Sequence, residues 1–380
     1  MPTEPGRREP AKRSRPNVKD VAARAGVSRA TAARALGGYG YSSQEVMERV
    51  TEAARELGYE PNRVARTMRS GKSDIIGFVC ADISDAFFSS AMRGICDVAL
   101  DEGSKVIVMN TDDQLSQEQD AARVLLSHEV DGLIITPVSV REHAHIDAVT
   151  GAGVPVVSLD RQLSDAGIDS VVADNEAGTA NAIHHLIGRG HHRIAYLGSV
   201  QPEEPPALRI GKSRASVAGP SRPSLDRVRG YLRALSAAGL PVERELIALV
   251  PHDEPGRRTD AVAAMLALGD PPSALFTADS YMTKSAFTLL SERGIAIPGE
   301  MSLLGFDDLE WTTLVRPRIS VVVQSAYDMG RAAAAQLFAK IAAPESGAGS
   351  ASVRGQRTVI PTRFLERESV GLVAEPVRGR

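Results

Sequence analysis

The sequence predicts two architectures in one chain: an all-α head of three short helices containing a helix-turn-helix, and an α/β body of parallel sheets behind it. Three observations carry this. Residues 17–57 hold three short helical patterns, the first two joined by Ala25-Gly26-Val27. From residue 75 onward, continuous apolar runs alternate with helical stretches. The charge divides at the same place. Residues 1–72 hold 15 Lys/Arg against 8 Asp/Glu, a net of +7, and the remainder holds 29 against 39, a net of −10. A basic head on an acidic body points the head at a polyanion.

Bulk properties narrow the class. A chain of 380 residues exceeds one ordinary domain. With 43% hydrophobic and 24% charged residues it reads as globular rather than fibrous or disordered. No apolar run approaches the roughly 20 residues that span a bilayer. MPTEPGRREPAKRSRP at the front is basic and has no apolar core behind it, which argues against a secretory signal. A cytoplasmic protein without membrane contact is expected. Cys80 and Cys96 lie in apolar stretches and read as buried free thiols of a reducing compartment.

In the head, Val18, Val21, Ala22 and Ala25 fall at i, i+3, i+4 and i+7, one face of a helix. Gly26 stops it, because a left-handed residue is cheap for glycine. Ser28 is the N-cap of a second helix. Its inner face is Ala32, Ala35 and Leu36, which leaves Arg29, Ala30, Thr31, Ala33 and Arg34 outside. Ser42-x-x-Glu45 reads as a capping box for a third helix. That helix has a stripe of Val46, Met47, Val50, Ala53, Ala54 and Leu57, and it ends at Gly58. A helix-turn-helix presents the start of its second helix to base edges in a major groove. A three-helix interaction module is the structural alternative. Behind the head, Pro61 suits a first helical turn. Residues 62–69 are helical in propensity yet too short to stand alone in water, and Ser70-Gly71-Lys72-Ser73 reads as linker.

In the body, IIGFVCADI, KVIVMN, DGLIITP, PVVSLD, RIAYLG, ALFTA and SLLGF are apolar strand runs. Helical stretches near 88–102, 116–128, 176–189, 226–238, 257–268 and 282–293 separate them. Such runs belong to parallel sheets covered on both faces, and two sheets suit about 290 residues better than one. Ligands bind beyond the carboxyl ends of such strands. QPEEPPALRIGKSRASVAGPSRPS, about 201–224, is rich in Pro, Ser and Arg, lacks an apolar period, and reads as a disordered insertion, a lid or an inert loop. His184-His185 and His191-His192 have no Cys or acidic partner at metal-ligand spacing and read as surface histidines. No nucleophile elbow or phosphate loop is present in context, and no cofactor is expected.

VKDVAARAGVS with Thr31 and Arg34, followed by ELGYEPNRVAR at 56–66, resembles the DNA-binding head of the LacI/GalR family of bacterial repressors. The order of segments behind it resembles the periplasmic sugar-binding fold that forms the body of that family. The resemblance implies that Arg29 and Ala30 are the main base-reading pair and Arg34 a further one. It places Thr31 and Asn62 at phosphates and Ser28 beside the backbone. Ala65 and Met68 belong to a hinge segment that folds on DNA, with Met68 in place of the usual Leu wedge. Arg offers guanine O6 and N7 a bidentate fork, and Ala offers only apolar contact to a thymine methyl. The structural alternative for Met68 is packing against the body.

For the body, the resemblance implies a ligand cleft between two subdomains. Asp85, Phe87 and Phe88 match an N-P-F-F segment in which Asp85 replaces Asn. Asp160-Arg161 match an Asp-Arg-Gln after the corresponding strand. Arg227 matches an effector-binding arginine. In Phe276–Met282 the usual sugar-binding Asp falls on Ser280, and Asp279 takes the Asn position. Asp307 and Gln324 complete the set. Each has a structural alternative: core packing for the phenylalanines, an ion pair for Asp160-Arg161, a cap for Asp307. The expected boundaries are a disordered basic tail 1–16, a helix-turn-helix 17–60, hinge and linker 61–72, and an effector-binding and dimerisation body 73–368, with a tail at 369–380. Within the body, crossings near 160, 309 and 341–356 give an N-subdomain of about 73–160 and 310–341 and a C-subdomain of about 161–309 and 356–368. The function implied is a dimeric repressor on a near-palindromic double-stranded operator, controlled by a small-molecule effector of sugar type. A solute receptor of the periplasmic type is the alternative; it would require export and no basic head.

Overall fold

A computed structural model describes residues 16–37, 42–59, 72–163, 167–200, 207–211, 215–251, 254–343 and 355–373. The chain divides into two units, residues 1–73 and 74–380. Asn62, Ala65 and Met68 lie outside the described residues, as do residues 1–15 of the tail.

The head is three helices: α1 (Val18–Ala25), α2 (Arg29–Gly37) and α3 (Gln44–Leu57). Asn17 caps α1 in a capping box with Asp20, and Gly26 at φ 66° ends it. Ser28 Oγ accepts from Thr31 N and so starts α2. Val21, Ala22, Ala32, Val50, Ala53 and Ala54 form a small core of short side chains, which lets three helices cross closely. Two expectations are corrected. Ser43, not Ser42, caps α3, its Oγ accepting from Val46 N. The helix therefore begins one residue later and Glu45 is no longer three residues past the cap. Met47 is 45% exposed, because it lies about 100° around the helix from the Val46–Val50–Ala53 line.

The body runs β1 (Ile75–Cys80), α4 (Ala86–Asp101), β2 (Lys105–Asn110), α5 (Leu115–Ser127), β3 (Gly132–Ile135), α6 (Ala144–Gly151), β4 (Val156–Leu159), β5 (Asp169–Ala173), α7 (Asn175–Gly188) and β6 (Ile194–Val200). It continues through β7 (Ala207–Ile210), β8 (Ala215–Ala218), α8 (Pro223–Ala237), β9 (Ile247–Pro251), α9 (Pro255–Leu266), β10 (Ala274–Thr277) and α10 (Ser280–Glu292). It ends with β11 (Ser302–Phe306), α11 (Glu310–Leu314), β12 (Ser320–Val323), α12 (Ala326–Ala342), β13 (Arg357–Ile360) and β14 (Arg363–Leu365).

Two six-stranded sheets result. The first has the order β13-β5-β4-β3-β1-β2 and is parallel throughout; the second has the order β14-β12-β11-β10-β6-β9 with only β14 antiparallel. Apolar cores cover both faces of each sheet, which explains why the central strands are uninterrupted apolar runs.

The subdomain boundaries differ from expectation. Asp169–Ala173 pairs with β4 in the first sheet, so the first crossing lies just before Asn175 rather than at 160. Residues 310–323 stay with the second sheet through β12, and the second crossing falls between Val323 and Ala326. Arg357–Ile360 returns to the first sheet, and the third crossing is at 361–362. The strands that shift these borders are short. Ser320–Val323 has four residues and Arg357–Ile360 alternates polar and apolar, so neither reads as a continuous apolar run.

The insertion is not featureless. β7 and β8 form an antiparallel hairpin, and Leu208, Ile210 and Val217 pack on the second lobe's core. Beyond 368 the chain is also packed. Ser369 is fully buried, its Oγ donating to Leu303 O and accepting from Ser320 N, and Val373 N donates to Arg189 O. His191 is buried too, bridging Ser273 Oγ and Gly371 O, whereas His184 is exposed. Cys80 is buried and burial pushes its thiol up to about 11; Cys96 is only half-buried.

In each lobe one pair of helices meets through glycine. A Cβ on Gly330 of α12 would stand 2.0 Å from Ala91 O of α4, and one on Gly230 of α8 would stand 2.3 Å from Glu176 O of α7. Neither contact has a flexible side chain that can yield. Gly330→Ala is expected to destabilise the protein by about 1–3 kcal/mol in urea unfolding, whereas Gly256→Ala, with nothing within 4 Å of its Cβ, should leave stability the same or slightly raised. Equal effects would show that the α4–α12 crossing does not depend on the glycine.

Candidate functional site

The carboxyl ends of both sheets open onto one cleft with a cavity of about 160 Å³, large against the ~10–15 Å³ that a single water needs. Asp85, Phe87, Phe88, Asp160, Arg161, Arg227, Asp279, Asp307 and Gln324 all line it. Ser280 does not: it is buried as the first residue of α10, and Asp279 before it faces the cleft instead. The strand-end reading located the position, and the helix start decided which of two adjacent residues points inward.

Each lobe contributes the same turn. Asp160 follows β4 and Asp307 follows β11, with φ of 67° and 72°. Asp160 N donates to Val171 O and Asp307 N to Val322 O, both at 2.8 Å. Left-handed backbone is tolerated by Asp better than by most residues. Burial pushes the Asp160 carboxyl up to about 6, against the attraction of Arg161 and Arg227. Burial does the same to Asp307, against Arg227 and the hydrogen bond from Gln324.

The arginines are held by the protein. Arg161 binds Asp113 with both terminal nitrogens, at 2.6 and 3.2 Å, and donates to Pro137 O. Arg227 donates from Nε to Asn175 Oδ1 and from Nη1 to Ala278 O, and its guanidinium lies 3.9 Å from the Phe306 ring centre. Arg222, in the segment expected to be disordered, donates to Val138 O of the opposite lobe at 3.2 Å. Tyr281 donates to Asp82 Oδ2 across the cleft at 3.4 Å. Arg222, Asn175, Tyr281, Asp82 and Asp113 are absent from the sequence reading, because their partners lie 48–199 positions away in the chain and no local pattern marks them.

Both helix starts at the cleft are capped by aspartate. Asp85 Oδ1 accepts from Phe87 N at the head of α4, and Asp279 Oδ1 accepts from Met282 N at the head of α10, each at 2.8 Å. Phe87 and Phe88 stand edge to face, centres 5.1 Å apart. Phe88 is part of the first lobe's core while Phe87 is packed at its margin, so the core-packing alternative and the cleft reading both hold for Phe88.

In the head, Arg29, Ala30 and Arg34 are exposed on α2, opposite the fully buried Ala32. Ser28 Oγ and Thr31 Oγ1 lie 2.9 Å apart and hydrogen-bond to each other, with Thr31 half-buried. No group of three metal-ligating side chains converges among the described residues. No helix among them is long and apolar enough to cross a membrane.

The raised carboxyl at Asp160 carries a sign. A folded-state value of about 6 against the ordinary 3.8 means the folded protein holds a proton that the unfolded chain has already lost. Its contribution to stability is therefore largest at low pH and is lost as pH rises through about 6. Asp160→Asn, which keeps the left-handed turn, is expected to raise the melting temperature at pH 7.5 by roughly 2 °C or more and to lose most of that gain at about pH 4, near the ordinary carboxyl value. An equal gain at both pH values in scanning calorimetry would contradict this.

Comparison with known proteins follows the same division of the chain. Residues 17–62 match the bacterial regulatory proteins of the lacI family, and residues 73–368 match the periplasmic binding proteins and sugar binding domain of LacI family. Catabolite control protein A of Priestia megaterium is 32% identical over 83% of this chain and 90% of its own length. The transcriptional regulator CelR–cellobiose complex is 25% identical, with a TM-score of 0.65, over 93% of this chain and 100% of that one. The Lac repressor dimer bound to operator shares the fold at 24% identity and a TM-score of 0.76, over 93% and 99% of the two chains. With its helix-turn-helix head and two-lobed cleft body, the chain belongs to the lacI family of bacterial transcriptional regulators.

Proposed function

We propose that Arg29, Ala30 and Arg34 read base edges of an operator and that occupancy of the two-lobed cleft governs their grip. As a member of its family the protein is a sequence-specific DNA-binding regulator, a repressor that acts as a dimer on a near-palindromic operator under control of a small molecule. The observation that carries the residue assignment is the convergence of charged side chains from both sheets on one cleft, in the same chain as an α2 whose outer face presents two arginines. A ligand that bridges Asp160 and Arg161 of one lobe to Arg227, Asp279 and Asp307 of the other has different contacts when the lobes move, which is the differential affinity that allostery needs. Sugar-type effectors fit this lining: Phe87 offers an apolar face and the carboxylates and guanidinium groups pair with hydroxyls. Ser28, Thr31 and Asn62 complete the head as backbone contacts, and Ala65 and the Met68 wedge belong to the hinge. In this reading the protein works in the cytoplasm, beside DNA, and carries out no catalysis. Its relatives are regulators, and the solute-receptor alternative has no use for a helix-turn-helix.

The reading is tested with duplexes selected from a randomised pool by the full-length protein. Arg29→Ala should weaken binding of the selected site by about 1–3 kcal/mol and relax preference at one base pair per half-site, while leaving non-specific binding nearly intact. A half-site preference that survives Arg29→Ala unaltered removes that residue from base reading.

A further inference from the structure

We propose that the effector of this cleft carries a cationic amine on a polyhydroxylated frame, an amino sugar rather than a neutral one. This rests on the cleft being the effector site and narrows what enters it.

The charge balance is the first ground. Among the described residues, Asp82, Asp85, Asp113, Asp160, Asp279 and Asp307 line the cavity against Arg161, Arg222 and Arg227. Two of the three guanidinium groups are already committed in detail. Arg161 is neutralised bidentately by Asp113, and Arg227 spends Nε and Nη1 on Asn175 and Ala278 O while stacking on Phe306. Asp160 and Asp307, at the two strand ends, are less well served. Asp307 receives one hydrogen bond, from Gln324 Nε2. Burial pushes Asp160 and Asp307 up to about 6: both carboxyls have lost water, and a donor brought by a ligand would offset that loss.

Asp279 is the second ground and the sharper one. Its Oδ1 caps α10 through Met282 N, and its Oδ2 is buried with no hydrogen-bond partner. Gln324 Oε1 is another buried acceptor without a donor. An Asn caps a helix as well as an Asp does, so capping alone does not require a second oxygen there. What the carboxylate adds is an atom that only accepts, at a place where an amide would donate. Two buried acceptors in the same lining, Asp279 Oδ2 and Gln324 Oε1, call for a ligand that brings N–H donors. An ammonium supplies three donors and no acceptor, and a positive charge as well. A bare metal ion is the poorer fit, since no three acidic or histidine side chains converge on a point among the described residues. The aromatic edge of Phe87 and Tyr281 beside these carboxylates suits the apolar face of a ring.

The experiment uses the full chain at pH 7.5 and matched trios of ligand. Glucosamine, galactosamine and mannosamine are titrated calorimetrically beside the parent hexoses and the N-acetyl forms, with wild type and with Asp279→Asn. At least one amine is expected to bind roughly tenfold or more tighter than both its parent and its N-acetyl form. Asp279→Asn, which retains the helix cap, is expected to keep the unliganded melting temperature and erase that preference. Parents or N-acetyl forms binding as tightly as the amines overturn the proposal. So does failure of all three amines, or an amine preference that survives Asp279→Asn. Gel shifts on the selected operator, run with the same ligands, separate the two readings: a neutral sugar that alters DNA binding would sink the amine and leave the effector cleft standing.

Discussion

Both sheets of the body finish their fourth strand on an aspartate in left-handed conformation, its N–H pinned to the neighbouring strand. The cleft depends on that paired turn. Strands of a parallel sheet deliver their carboxyl ends to one edge, and the chain here crosses between sheets close to those ends, so the two edges face a common space. A left-handed residue costs on the order of 1–2 kcal/mol for most side chains, and aspartate keeps that cost low while setting a carboxyl at the rim. The fold thus places two negative groups opposite one another before any ligand chemistry is considered, and Arg161, Arg227 and their partners are the answer to that arrangement.

That answer favours rigidity. Asp113 fixes the Arg161 fork, and Asn175, Ala278 O and Phe306 fix Arg227. Side chains already held in one rotamer lose little freedom on meeting a ligand. Contacts that reach from lobe to lobe across the cleft are of a different kind. Arg222 to Val138 O and Tyr281 to Asp82 are polar contacts at the rim, far weaker than the apolar cores on either side of each sheet. Precision lies within the lobes and compliance between them, a division suited to a protein whose two ends must influence one another.

Much of this was legible from the residues. Gly26, Ser28 and the Val21–Ala22 stripe give the head, because caps and periodicity are local. The strand-end rule found Asp160 and Asp307 because it needs only the end of an apolar run. Ser42 and Ser43 both offer a hydroxyl, and only backbone geometry chooses between them. Asp279 and Ser280 are separated by the same kind of choice. Arg222 was hidden in a Pro- and Ser-rich stretch, since the hairpin that organises it buries just three or four apolar side chains. The lobe borders were misplaced for a related reason: SVVV is a four-residue strand and RTVI an alternating one, and each is recognisable only beside the neighbour with which it pairs.

The three crossings give the lobes an unusual dependence on chain order. The first lobe takes residues 74–173 and then waits for α12 and β13 at 326–360, while nearly all of the second lobe lies between. During synthesis the earlier lobe therefore remains without its edge strand and one face of its core until after most of the later lobe has emerged. Asp174 is where this closes. Its backbone N–H meets Ile360 O and its carboxylate accepts from Thr362 N at 2.6 Å, tying the first crossing to the third. Residues 326–365 thus complete both halves of the body, and a chain cut short between its middle and this segment forfeits not one lobe but the integrity of the pair.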